Sequence, residues 1–275
     1  MVLQILCLRP FFPLTTNTMF LIHHYHDQSN HTHSPQKGLM YIRFVFRLVI
    51  LGALGLLLCA CAGKQISPQN TPKNFAQSKA FLKKAYKEHQ FTQEFYCGVE
   101  FDTDTLKIIS SDRYTPRNAL TKQGKPNIRA QRIEFEHIMP AHRFGGNLPC
   151  WKNGGRKACQ KDKKFVQMES DIRNLLPAIG EINADRSNYA YDEPPANIAY
   201  TQYGKCLVYT DFKAKRFYPA DYSKGLIARV YLYMSAHYGI TLTPAEKRLM
   251  QQWDKRYPPN EYERAWLDLK DSKNK

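Results

Sequence analysis

Residues 40–61, MYIRFVFRLVILGALGLLLCAC, set two arginines ahead of an apolar run that begins at Leu48 and ends in small residues and cysteine. That is the grammar of a bacterial export signal, and it constrains the fold of the 275-residue chain more than any other feature. It takes the N-terminal part out of the folded body and places the remainder of the chain outside the cytoplasm. Met40 then reads as the start, and residues 1–39 as an upstream extension whose histidine-rich stretch, HHYHDQSNHTH, is not assigned to metal.

The end of the signal, Leu58 to Cys61, has the form of a lipoprotein box with Cys61 as the lipidated residue, although Cys59 is unusual at its middle position. Signal cleavage nearby and an uncleaved membrane anchor are the alternatives. Residues 62–73 are polar and proline-containing and read as a tether, which leaves 74–275 as a single domain. The protein is expected in the periplasm, at the outer membrane through a lipid anchor, or secreted.

Cys97, Cys150, Cys159 and Cys206 remain for that domain, an even set in an oxidising space. Of three connectivities, the expected one is a local clasp of Cys150 to Cys159 around the Gly-rich CWKNGGRKAC, with Cys97 bonded to Cys206. A zinc site is the rival, but no CxxC pair or close histidine partner supports it.

Lysine and arginine outnumber aspartate and glutamate by 40 to 24, for a formal net charge of +16. With 43% hydrophobic residues the chain has material for a core, so disorder is excluded. The charge points to a polyanionic partner: nucleic acid or an acidic membrane surface. Asn74 is placed to cap a helix reaching about Gln90, with Phe75, Leu82 and Tyr86 on one side. Strands are expected around Tyr96–Phe101, Arg132–Glu136 and Lys205–Phe212, with a basic, turn-rich stretch between the first two. Ser223 starts a further helix carrying Ile227, Val230, Tyr231 and Met234. Thr243, Pro244 and Glu246 then supply the cap, first-turn proline and third-position glutamate of another, lined by Leu249, Met250, Trp253 and Tyr257.

In EFEHIMPAHRFGG, residues 134–146, Ile133 and Phe135 alternate with Glu134 and Glu136, and Pro140 stops ladder pairing, so a carboxylate and an imidazole meet at a strand end. Together with CWKNGGRKACQKD, MESDIRNLLPAIGEINADRSNY, YGKCLVYTDFK and KGLIARVYLYMSAHYGITLT, in that order and spacing, this block resembles the bacterial endonuclease I family of periplasmic and secreted nucleases. The resemblance covers about Lys79 to Tyr257. It implies an α+β fold: a mixed α/β His-Me finger (ββα-metal) domain with a helical C-terminal half, hydrolysing DNA, and also RNA, with little sequence preference, as a monomer.

The resemblance implies His137 as general base, Glu136 and Asn183 as magnesium ligands (with manganese or calcium as alternative ions), Arg156 as the phosphate-steadying arginine and Glu169 as a further site carboxylate. The chemistry suits these residue types. Imidazole titrates near neutrality, magnesium takes one or two oxygen ligands plus phosphate, and a guanidinium grips two phosphate oxygens. Arg113, Arg117, Lys125, Arg129, Arg132 and Lys224 are the candidates for backbone contacts with nucleic acid. His142 reads as a loop residue. The family often carries two further cysteines where this chain has Val99 and Tyr262, as the loss of one disulfide would leave it. A different class of function, a catalytically silent lipoprotein that binds DNA for adhesion or uptake, would have the same charge but no need of the Glu136, His137, Arg156 and Asn183 set.

Overall fold

The computed structural model of the protein describes residues 72–271. The expectations for the export signal, Cys61, most of the tether and the last four residues lie outside that span. The described chain is α+β. Helix α1, Phe75–Glu88, starts where the Asn74 side chain accepts from the Gln77 amide, and it buries Leu82, Ala85 and Tyr86. Tyr86 gathers the rings of Phe91, Phe101 and Phe135, with centroids 5.6–6.0 Å away.

Tyr96–Phe101 is not a strand. The fully buried Glu94 carboxylate accepts from the backbone amides of Tyr96, Cys97 and Val99, and its own amide donates to the Val99 carbonyl. One side chain therefore satisfies donors that a ladder would otherwise use, and the segment closes into a turn with Gly98 at φ +67°. Val99 is buried in the core, and Tyr262 packs against Phe91 and Phe95 at 5.1 and 5.9 Å, so apolar packing occupies both positions.

Strand β1, Ile133–His137, pairs antiparallel with β2, Leu175–Ile179, with Glu136 opposite Leu176 and His137 opposite Leu175. Between them lie four short helices: α2, Ala141–Gly145; α3, Pro149–Lys152; α4, Gly155–Cys159; and α5, Lys163–Glu169. The Cys150–Cys159 disulfide clasps α3 to α4, and Cys97–Cys206 closes the other pair, as expected. Helix α6, Gly180–Arg186, continues directly from β2 without a loop. A Cβ on Gly180 would sit 2.7 Å from the Arg129 carbonyl oxygen and 2.9 Å from the Glu134 carboxylate, so only glycine permits this close approach.

A second sheet orders three short strands as β3–β5–β4, namely Ala190–Tyr191, Arg216–Tyr218 and Tyr209–Asp211. The expected strand over Lys205–Phe212 shrinks to β4, because Cys206 is held to Cys97 and Leu207 is left exposed. The C-terminal part is helical: α7, Asp221–Tyr238; α8, Pro244–Arg256; and α9, Glu261–Asp271. Thr243 and Glu246 form the anticipated capping box on α8, which buries Met250 and Trp253. Among the described residues no helix is long and apolar enough to cross a membrane.

Candidate active site

β1 ends at His137 because other groups replace the ladder there. The Ile138 amide donates to the Asn174 carbonyl, and the Asn174 side chain accepts from the Met139 amide at 2.7 Å while donating to the Met139 carbonyl at 2.9 Å. The Arg186 guanidinium donates to the carbonyls of His137 and Ile138, at 2.9 and 2.7 Å. The strand end is thereby held by Asn174 and Arg186, and alternation sends Glu134 and Glu136 to one face and His137 to the other.

On its face, His137 is buried between aromatic rings, with Phe75 at 4.8 Å and Phe144 at 6.0 Å centroid to centroid. Its Nε2 lies 2.9 Å from the Glu169 carbonyl oxygen. A carbonyl can only accept, so Nε2 carries the proton and Nδ1 keeps the lone pair. Burial lowers the imidazole pKa from 6.5 to about 3, which keeps the ring neutral. The Glu169 carboxylate, also buried, takes a 2.6 Å hydrogen bond from Arg156 Nε. Glu169 thus orients the histidine with its backbone and the arginine with its side chain.

The Glu136 face is charged. Glu136 Oε1 accepts from Arg186 at 2.9 Å and from the Tyr96 hydroxyl at 3.1 Å, and Tyr96 in turn meets the Tyr191 hydroxyl at 2.6 Å. Burial pushes the Glu136 carboxyl up to about 7 despite the opposing guanidinium, a cost that a further cation would remove. One helical turn before Arg186, Asn183 donates its Nδ2 to Glu134 at 3.3 Å, which leaves its carbonyl oxygen as the acceptor. This donor set is all oxygen and fits a hard divalent ion bound by few protein ligands. Among the described residues no cluster of three His, Cys, Asp or Glu could hold a metal, and both cysteine pairs are closed, so the zinc rival has no thiolates.

The endonuclease I family profile matches residues 74–268. The chain belongs to the endonuclease I family. An extracellular deoxyribonuclease of Aeromonas hydrophila is 42% identical over 195 residues, covering 70% of this chain and 81% of its own. A periplasmic deoxyribonuclease of the same organism is 41% identical over 215 residues, covering 77% and 85%. Endonuclease-1 of Buchnera aphidicola subsp. Acyrthosiphon pisum (strain APS) is 41% identical over 195 residues, covering 71% and 75%.

In this endonuclease I chain the basic residues picked out for nucleic acid divide sharply. Arg113 and Lys125 are exposed, with no carboxylate within 4 Å among the described residues. Arg117 is bidentate to Asp185, and Arg129 and Arg132 both pair with Glu134, so these three brace the site's scaffold. Lys224 requires correction: its ammonium is buried between Glu193 at 2.6 Å and Asp221 at 2.8 Å, beside the Trp253 ring, and no phosphate can reach it. His142 also differs, lying on the one-turn helix α2 against Trp151 at 5.7 Å, away from the His137 cluster of contacts. Arg186 and Asn174 were not picked out from the sequence, and Phe75 was assigned only to the packing side of its helix. For Arg186 the signal was there, since it stands three residues after Asn183 on one helix face.

Proposed function

We propose that the chain is a magnesium-dependent endonuclease that hydrolyses phosphodiester bonds of DNA, and also RNA, without sequence preference and outside the cytoplasm. The observation that carries this reading is the His137 tautomer: Nε2 is tied to the Glu169 carbonyl, leaving Nδ1 as a base at the strand end that also presents Glu136. His137 Nδ1 takes the proton of the attacking water, the water oxygen bonds to phosphorus, and the bond to the leaving 3′ oxygen breaks. Arg156, held by Glu169, steadies the phosphate oxygens with its remaining guanidinium donors. Glu136 and Asn183 are the residues that would hold magnesium. When bound, the ion supplies a Lewis acid that offsets phosphate charge and helps the leaving oxygen.

Absence of sequence preference is expected of a site that offers cations to the backbone rather than amide readers to base edges. The location rests on relatives whose names place them outside the cell or in the periplasm. Lipid at Cys61 belongs to the same reading, and labelled palmitate should enter the wild type and be absent from Cys61→Ser. The function itself is tested by plasmid digestion. Supercoiled DNA should be nicked in magnesium and spared when a chelator is added. Binding without cleavage at any magnesium concentration would instead favour the silent DNA-binding lipoprotein.

A further inference from the structure

One aromatic ring beside His137 carries two cations. Phe75, the first residue of α1, lies 4.8 Å from the imidazole; the Arg156 guanidinium carbon lies 5.3 Å from the same ring and the Lys79 ammonium 4.9 Å. The arrangement is anchored. Ser78, between these two residues of α1, is buried and donates its hydroxyl to the Ser170 carbonyl at 2.6 Å, next to the residue whose carbonyl holds His137. The two cations differ in how their charge is answered. Arg156 is paired with Glu169, whereas Lys79 is exposed and has no carboxylate within 4 Å among the described residues.

We infer that Lys79, held on the Phe75 ring, binds a nucleic-acid phosphate adjacent to the one steadied by Arg156. The inference rests on the nuclease reading and assigns a backbone subsite to it. An ammonium is a compact point charge that suits a phosphodiester oxygen. Contact with an aromatic face restricts where Lys79 waits. The charge is thus set out before substrate arrives, on the same ring that packs the catalytic imidazole. Lys79 replaces Lys224 and Arg117 as a source of uncompensated charge, because Lys224 lies between Glu193 and Asp221 and Arg117 is matched by Asp185, while Arg129 and Arg132 share the single Glu134.

The test is the salt dependence of duplex binding by the full chain, measured with chelator so that no cleavage intervenes. Each phosphate neutralised contributes about −0.9 to the slope of log affinity against log salt. Lys79→Ala should bind several-fold more weakly on every sequence, with a slope shallower by about one, and Lys79→Arg should restore it. Lys84→Ala, five residues further along α1 and paired with Glu88, is the control and should match the wild type. An unchanged slope and affinity in Lys79→Ala would overturn the subsite, even if the wild type cuts plasmid in magnesium. Conversely, a wild type that binds but never cuts would sink the nuclease reading, while the slope still decides for or against Lys79. A wild type with no affinity for duplex would end both.

Discussion

Glu136 and His137 are neighbours in sequence and opposites in surroundings. His137 is packed between phenylalanine rings and held by one backbone carbonyl, whereas Glu136 lies in a network of arginine, tyrosine hydroxyls and a second glutamate. Burial acts on both toward the neutral form, so the same cause lowers the imidazole and raises the carboxyl. On the histidine face this keeps Nδ1 unprotonated but also weakens it as a proton acceptor, which works best with a pKa near the ambient pH. On the glutamate face it opposes the anion that a metal ligand must be, and Arg186 is the fixed charge that partly offsets it. A single strand end thus presents a dry imidazole and a charge-compensated carboxyl by sending consecutive residues to opposite faces.

The contrast can be broken most forcefully at the base. His137→Ala should lose about 10²–10⁴ in cleavage rate while retaining metal and duplex binding, and higher pH should recover part of the loss. Cleavage as fast as the wild type under matched metal and salt would make the Glu136–His137 step structural. The other face is tested through its cation. Arg186→Met leaves Glu136 buried without its partner and should cost about 3–5 kcal/mol in denaturant unfolding. A loss within experimental error would mean that the network does not hold the strand end. The same reasoning makes Glu136→Ala a poor probe of metal binding, since it strands Arg186 instead. Glu136→Gln keeps an acceptor for Arg186 and Tyr96 and is the better variant.

The smallest effect concerns pH. The His137 pKa is depressed from 6.5 to about 3 in the fold, so the unfolded chain takes the proton first. Its contribution to stability is present above about pH 6.5 and drains as pH falls toward 3. Between pH 7.5 and 5 the wild type should lose about 2 kcal/mol more than His137→Ala in urea titrations. Glu136 runs the other way, since a pKa raised from 4.5 to about 7 favours the fold below pH 4.5 and loses that contribution as pH rises through 7. Because both variants share Glu136, the difference between them isolates the histidine, and equal losses would contradict its burial as a neutral ring.

What could be read from the sequence was local. The Asn74 cap, the Thr243–Glu246 capping box, the alternation that ends at His137 and the nine-residue cysteine clasp all depend on residues close in the chain. What could not be read depends on partners far away. Glu94 gave no local sign that it would be buried whole and close Tyr96–Phe101 into a turn. Lys224 and the arginines of the basic stretch looked free because Glu193, Asp185 and the packing of α7 on Trp253 are properties of the folded chain. Glu134 is local to Arg129 and Arg132, but alternation alone did not say that it would face them. The candidate site residues were named through the five-block resemblance; spacing alone would not have joined Arg156 to Glu169 and His137.

The two disulfides differ in a way that concerns the order of assembly. One closes over a separation of 9 residues and the other over 109. Among the described residues, a chain emerging N-terminus first presents Cys97 before any partner, then Cys150 as its first available and incorrect one. Loop closure becomes harder roughly as the logarithm of loop length, so once Cys159 emerges, the short clasp has the entropic advantage over any bond back to Cys97. Closing it withdraws Cys150 and Cys159 from competition and leaves Cys97 waiting for Cys206. The Gly-rich segment that carries Arg156 is therefore also the pairing with the shortest loop to close.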